Sequence, residues 1–523
     1  MNFYSIQFIT FLLIALLCYY TFFKKQQWIC LLVASAVFYY WTGIENFAFL
    51  LLTGLTTWAG AKVLAVHSQE LAALRKNKTL EKEEKTVKRN QIQKKRRMIM
   101  WGVLFVNFGV LAVLKYLEPI LDGIGFTGFG DTLGLVLPLG ISFYTFQSIG
   151  YLLDIYYEKY EPEHNFARYM LFVSYFPQMI QGPINRYEVM GEQFCAEHIW
   201  NGERATKAAY RIFYGLLKKY AIANTLSVIL VNIFDTPARD YSGAMVVFGI
   251  LIYSAQQYAD FSGGIDMVLG ISELFGIQMA ENFKQPYFAT SLADFWRRWH
   301  ISLGKWMRDY VFYPFALTKP LKNLGKWANK NLGKHLGRTL PAALGNLLVF
   351  FIVGIWHGAE WHYVIWGLYN GAVIAMSDLL APVYDKVKDT LRIKEDAKWF
   401  HLFRIVRTFI IVNIGWYFDR IYDIGAAFYS LKKTFLAFGP ELFAGEYALI
   451  FDGVKAHGGK IAVLGCIMVF FVSVLEERKI NVRDLLYKCP LIIRWGVYSV
   501  IIILILFGCT RVGDAGGFMY ANF

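Results

Sequence analysis

Apolar segments of about 20 residues recur along this chain, and about 20 apolar residues in helical form suffice to span a bilayer. The runs cover residues 5–23, 27–41, 47–65, 98–117, 132–151, 169–184, 210–233, 244–269, 340–355, 363–380, 402–418, 461–475 and 491–507. They predict roughly ten to twelve crossings, with the shorter runs re-entrant. A hydrophobic content of 56% and a mean hydropathy of +0.38 exclude an ordinary soluble domain. The expected fold is therefore an all-α polytopic membrane protein, one domain over residues 1–523. The first run lacks a basic leader and a small-residue cleavage site, so it is read as a retained helix, not a signal peptide.

The formal net charge of +14 is concentrated in a few places. Residues 67–97 hold eleven Lys/Arg against four Glu, and residues 297–338 hold ten Lys/Arg against Asp309 alone. The positive-inside rule explains such clusters without a nucleic-acid partner. Lys24 and Lys25 place the end of the first helix in the cytoplasm, and two further crossings return the chain to the basic segment 67–97. Arg478, Lys479, Arg483, Lys488 and Arg494 mark a second cytoplasmic segment, so both ends of the chain are expected outside. The glycine-rich stretch 122–131 is expected to be an outward turn; no GK[ST] follows it, so it is not a phosphate loop. The six cysteines show no C-x-x-C or Cys/His spacing, which supports neither a disulfide framework nor a zinc site.

Two histidines stand out. Ser291 and Asp294 form an S-x-x-D capping signal, predicting a helix from Leu292. Leu292, Trp296, Trp299, Leu303, Trp306 and Tyr310 then recur every three or four residues as one apolar stripe. Arg297, Arg298, Lys305 and Arg308 fall on the opposite face, with His300 at the boundary. This helix either lies in the membrane interface, with its arginines in water or on lipid phosphates, or lines a cytosolic mouth that attracts an anionic donor. His357 sits in an apolar stretch, where an ionisable group is costly and marks a protein interior or a water-filled path. Imidazole exchanges protons near neutral pH, so His357 is a candidate base; a hydrogen-bonded core histidine is the alternative. Gly358 is expected to permit close backbone approach beside it, and Trp356, Trp361 and Trp366 to serve in packing and at the interface. His357 and His362 are five apart, which on a helix points them about 140° apart, unsuited to one metal ion.

The strings DFWRRWHISL (294–303), WMRDYVFYP (306–314) and IWHGAEW (355–361) resemble the membrane-bound O-acyltransferase (MBOAT) family, in particular its bacterial branch that acetylates alginate or D-alanylates teichoic acid. Supporting strings are LPLGISFYTFQSIGYLLDIYY (137–157), FPQMIQGPI (176–184) and QQYADFSGGIDMVLG (256–270), so the likeness spans about residues 130–380. The resemblance implies a helical bundle around a central tunnel. A thioester donor, acetyl-CoA or an acyl carrier protein, enters from the cytosol, and an acceptor hydroxyl reaches in from outside. It makes His357 the central catalytic histidine and His300 the second, more cytosolic one. Asn282, Asp294, Trp296, Arg297, Arg298, Trp299 and Arg308 take positioning roles. No bound cofactor or metal is implied.

The segment FMYANF (518–523) fits F-x-Y-x-x-F and resembles a motif of the D-alanylation machinery, which makes Tyr520 a candidate acyl relay; an aromatic anchor at the membrane interface is the alternative. The resulting expectation is a cell-membrane O-acyltransferase that moves an acyl group, acetyl by preference, toward an exported polysaccharide with the help of an extracytoplasmic partner protein. D-alanyl transfer to teichoic acid, a transporter and a non-enzymatic scaffold are the competing readings.

Overall fold

A computed structural model describes residues 5–41, 43, 46–123, 125, 137–235, 240–451 and 457–512. Most of the glycine-rich stretch 122–131, and the segment 518–523 with Tyr520, lie outside the described residues. Among the described residues the structure is helical throughout, with one isolated β-bridge, Phe283 to Trp299. Helices are what lipid demands, because a chain surrounded by hydrocarbon must pair its own backbone groups.

Among the described residues, six helices are long and apolar enough to cross a membrane: Asn46–Lys76, Lys82–Leu121, Gly202–Phe234, Lys334–His357, Gly459–Glu477 and Leu491–Cys509. The pair Trp361–Leu379 and Ala381–Thr390, bent by 56°, makes a seventh if counted as one span. The remaining apolar runs of the sequence form other helices. Ile6–Thr21 and Gln27–Tyr40 have only 16 and 14 residues. Gly243–Leu274 carries a row of buried polar side chains. Hydropathy alone predicted roughly ten to twelve crossings with the shorter runs re-entrant, more than the six or seven described helices long and apolar enough to span.

The described residues fall into two compact units, one drawn from Met1–Ala208 and Val268–Ala280, the other from Ala209–Met267 and Glu281–Met519. In the first unit, Asn46–Lys76 packs on Lys82–Gly123 and on Ile141–Tyr156. The basic segment 67–97 is almost wholly helical, because these two long helices run on into it and leave a turn only at 77–81. Ile141–Tyr156 is buried along nearly its whole length, and Tyr169 ties this core together by bonding Thr57 at 2.7 Å and packing against the Tyr151 ring at 4.6 Å.

The second unit is organised around buried charge. Lys218 and Lys219 are consecutive, yet both turn toward helix Gly243–Leu274: Lys218 Nζ bonds Asp266 Oδ2 at 2.6 Å, and Lys219 pairs with Asp260. Consecutive residues on an α-helix diverge by about 100°. Here they lie in a π-helical stretch, Leu217–Ala223, whose wider turn reduces that divergence. The helices meet at Gly215 and Gly263, where a Cβ on either would stand within 3 Å of the other's carbonyl oxygen. Both lysines therefore reach across a backbone-to-backbone crossing. Lys219 and Asp260 are only 5% and 3% exposed. Lys219→Ala should lower stability by about 3–5 kcal/mol by leaving a buried carboxylate, and Lys219→Met with Asp260→Leu should recover most of it. Denaturant unfolding in detergent checks both.

Candidate active site

The first helix of the site begins as the capping signal predicts. Ser291 Oγ accepts from the Asp294 N–H at 3.1 Å, Asp294 Oδ2 accepts from the Thr290 N–H at 3.2 Å, and the helix runs Leu292–Arg298. It does not continue to Tyr310. Trp299 is extended, His300 is left-handed at φ 47° and ψ 52°, and a second helix covers Ile301–Met307, followed by a π-helical turn, Arg308–Phe312. The break has its own hydrogen bonds. The carbonyl of Asn282 accepts from the Ile301 N–H at 3.1 Å, and its Oδ1 accepts from the Ser302 N–H at 2.9 Å. The Lys284 N–H donates to the Arg298 carbonyl at 2.9 Å, so residues 282–284 run beside the break like a short strand.

The apolar stripe therefore faces protein, not lipid. Leu292, Trp299, Leu303, Trp306 and Tyr310 are buried. Trp299 stacks on Phe295 at 5.5 Å and meets Phe283 edge-on at 5.0 Å. Arg297, Lys305 and Arg308 are exposed as expected, Arg308 beside Asp309. Arg298 is instead half-buried, bridging Asp294 at 3.2 Å and Glu477 at 2.8 Å. His300 is 3% exposed and meets the Phe261 ring edge-on at 4.8 Å. Burial pushes its imidazole down to about 3, so it is neutral at working pH.

His357 is the last residue of helix Lys334–His357 and is 7% exposed. This helix forms a hairpin with Trp361–Leu379, closed where Gly354 and Gly367 bring the two backbones together. Gly358 plays a different part from the one expected: a Cβ there would run into the Tyr363 ring and the Glu360 carboxylate, so side chains, not backbone, fill the space beside it. His362 opens the following helix, and its Nδ1 lies 2.8 Å from the Phe418 carbonyl oxygen. The two histidines thus belong to different helices, contrary to the single-helix geometry used to separate them. Trp361 is 71% exposed, whereas Trp356 and Trp366 are buried.

The two predicted histidines share a neighbour. The Trp356 ring lies 6.2 Å from the His300 ring and 5.0 Å from the His357 ring. Trp366 meets His357 edge-on at 5.0 Å and Trp296 at 5.5 Å. Trp296 Nε1–H donates to Asn370 Oδ1 at 3.0 Å, and Asn370 Nδ2 donates to the Trp366 carbonyl at 2.8 Å, locking the short helix to the hairpin. Asn282, Trp296 and Trp299 thus bond or pack beside the break that holds His300, Asp294 and Arg298 pair with each other, and Arg297 and Arg308 stand on the exposed face. Tyr520 is outside the described residues.

Sequence reasoning passed over three features. A cavity of about 570 Å3 is lined by residues between Tyr210 and Ile301, Phe283 among them, and by residues 468–501. Arg211 forms a two-pronged pair with Glu281 at 2.8 and 2.5 Å and bonds Asp266 at 3.0 Å on its wall. Asp419 accepts from Tyr253 at 2.6 Å and Gln257 at 2.9 Å. Lysines 218 and 219 within an apolar run were the readable signal, since charge at such positions marks function or a buried partner.

The family model of the membrane-bound O-acyltransferases matches residues 161–416. This chain belongs to that family and is an acyltransferase of the membrane. Among its relatives, the probable alginate O-acetylase AlgI of Pseudomonas aeruginosa is 31% identical over 80% of this chain and 72% of its own length. The peptidoglycan O-acetyltransferase of Helicobacter pylori is 31% identical over 65% and 64%. The teichoic acid D-alanyltransferase of Bacillus subtilis is 30% identical over 54% and 68%.

The buried, neutral His300 gives stability a pH dependence. Below about 6.5 the unfolded chain takes up a proton at this imidazole that the folded chain refuses until about pH 3. Its contribution is complete above about pH 6.5 and is lost on acidification, by up to about 1.4 kcal/mol per pH unit. The wild type should lose stability between pH 6.5 and 5 more steeply than His300→Asn, whose side chain tolerates the left-handed conformation. Thermal unfolding followed by tryptophan fluorescence at both pH values checks this.

Proposed function

We propose that this chain acetylates an exported polysaccharide, taking the acetyl group from a cytosolic thioester carried by coenzyme A or an acyl carrier protein. The observation that carries the reading is the pair of buried imidazoles, His300 and His357, against one tryptophan in a chain whose relatives include named polysaccharide acetylases. His357 acts as the base. It takes the proton of the acceptor hydroxyl as the oxygen attacks the thioester carbonyl carbon, and the tetrahedral intermediate expels a thiolate that recovers the proton. The products are an ester and a free thiol. His300, uncharged, orients the thioester end of the donor. D-alanyl transfer is the weaker reading because that relative aligns over less of the chain.

The basic segments 67–97 and 476–494 face the cytoplasm in this reading, with both ends of the chain outside. There Tyr520 accepts the acyl group before a partner protein passes it to the polymer. His357→Ala should reduce polymer acetylation by about 10²–10⁴-fold with membrane insertion intact, measured as ester released by mild base from cells expressing the variant. Full acetylation by that variant would leave only a scaffold. Intact mass of protein incubated with acetyl-CoA should show one added acetyl group, absent in Tyr520→Phe; an acetyl group retained by that variant would remove Tyr520 from the relay.

A further inference from the structure

The interfacial role weighed for residues 292–310 falls to a helix further along, Lys319–Asn331. Its Leu321 and Ala328 are buried, and it packs on the membrane-crossing helix Lys334–His357. The approach is close. A Cβ at Gly325 would stand 3.0 Å from the Gly337 carbonyl oxygen and 3.3 Å from Pro341, and one at Gly337 would run into Asn329. Only Leu332 and Gly333 separate the two helices, and Gly333 turns the chain at φ 93°. The apolar run of the second helix begins at Leu340. Lys319–Asn331 therefore lies along its partner's first turns, where that partner enters the bilayer.

Six cations stand exposed on this helix and just beyond it: Lys319, Lys322, Lys326, Lys330, Lys334 and Arg338. No Asp or Glu occurs from Tyr310 to Ala359, and among the described residues none of the six cations forms an ion pair. The basic segment 67–97 differs, since it carries four Glu among its cations. Lys322, Lys326 and Lys330 recur every four residues, so they form one ridge with steps of about 6 Å along the axis. Large apolar side chains are exposed beside it: Trp327 within the helix, Leu317 before it and Leu332 after it. Lysines interleaved with tryptophan and leucine suit a helix lying on an anionic bilayer. A soluble acidic partner would account for the lysines but not for exposed apolar side chains at the bilayer's edge.

We infer that the outer face of Lys319–Asn331, through Lys322, Lys326 and Lys330, binds the phosphates of anionic phospholipids in the adjoining leaflet, with Trp327 seated beside their acyl chains. The positive-inside rule puts this face in the cytoplasmic leaflet, which holds the anionic lipids.

The test places the full-length protein in nanodiscs of phosphatidylcholine doped with a trace of photoactivatable phosphatidylglycerol or photoactivatable phosphatidylcholine. Digestion and mass spectrometry then map the lipid adducts. Residues 313–338 should take up the phosphatidylglycerol probe at least about tenfold more than the phosphatidylcholine probe at equal mole fraction. Lys322→Gln with Lys326→Gln and Lys330→Gln should remove most of that preference while thermal unfolding in undoped discs stays at the wild-type temperature. Lys82→Gln with Lys85→Gln and Lys88→Gln, which takes the same charge from the segment 67–97, should leave it intact. Equal labelling by the two probes overturns the site, as does a preference that survives the first triple variant or falls equally in the second. An acidic carrier protein titrated onto undoped discs supplies the rival outcome. Carrier binding that the first variant abolishes and phosphatidylglycerol does not compete away makes the ridge a protein dock and overturns the lipid assignment. Every readout is of lipid or carrier bound, so the result is independent of the acyl-transfer reading.

Discussion

Where one short helix stops and another starts in a water-poor interior, backbone N–H groups lose their intrahelical partners, and leaving them unpaired is costly. Asn282 meets that demand twice, with its own carbonyl for Ile301 and its side chain for Ser302. This pairing lets the chain break at Trp299 and turn His300 inward in a left-handed conformation. A continuous helix would have left His300 at the edge of an apolar stripe. The interruption instead brings its ring against Phe261 and Trp356, and the capping of Leu292–Arg298 and the Trp296–Asn370 bond fix the short helix that leads to it.

Much of this was readable beforehand. The membrane character followed from the apolar runs, the helix start from Ser291 and Asp294, and the two histidines from their setting and motif. The break at His300 was hidden because the three-and-four spacing of Leu292, Trp296, Trp299 and Leu303 passes straight across it. Periodicity registers which residues are buried, and these are buried on both sides of the interruption. A bridge between residues 282–284 and 298–299 depends on chain returning from elsewhere, and no local pattern encodes it. The cavity's second wall was invisible for the same reason, as it joins residues more than 150 positions apart.

The count of crossings illustrates a different limit. Helix Gly243–Leu274 reads as lipid-facing when only hydropathy is considered, yet Tyr253, Gln257, Asp260 and Asp266 are spaced along it and bond side chains of other helices. Such groups are tolerated because each has a partner, and the π-helical stretch at Lys218 and Lys219 is the local distortion that makes two of those pairings geometrically possible. Composition reports that the polar groups exist; only the packing tells whether they point into water, lipid or one another.

Trp356 touches both imidazoles, and the chemistry of indole restricts what that contact can do. Its nitrogen gives a hydrogen bond but has no lone pair available to receive one. A proton arriving at either histidine therefore has no onward route by way of this shared neighbour. The contact packs the two rings against one indole without passing a proton between them.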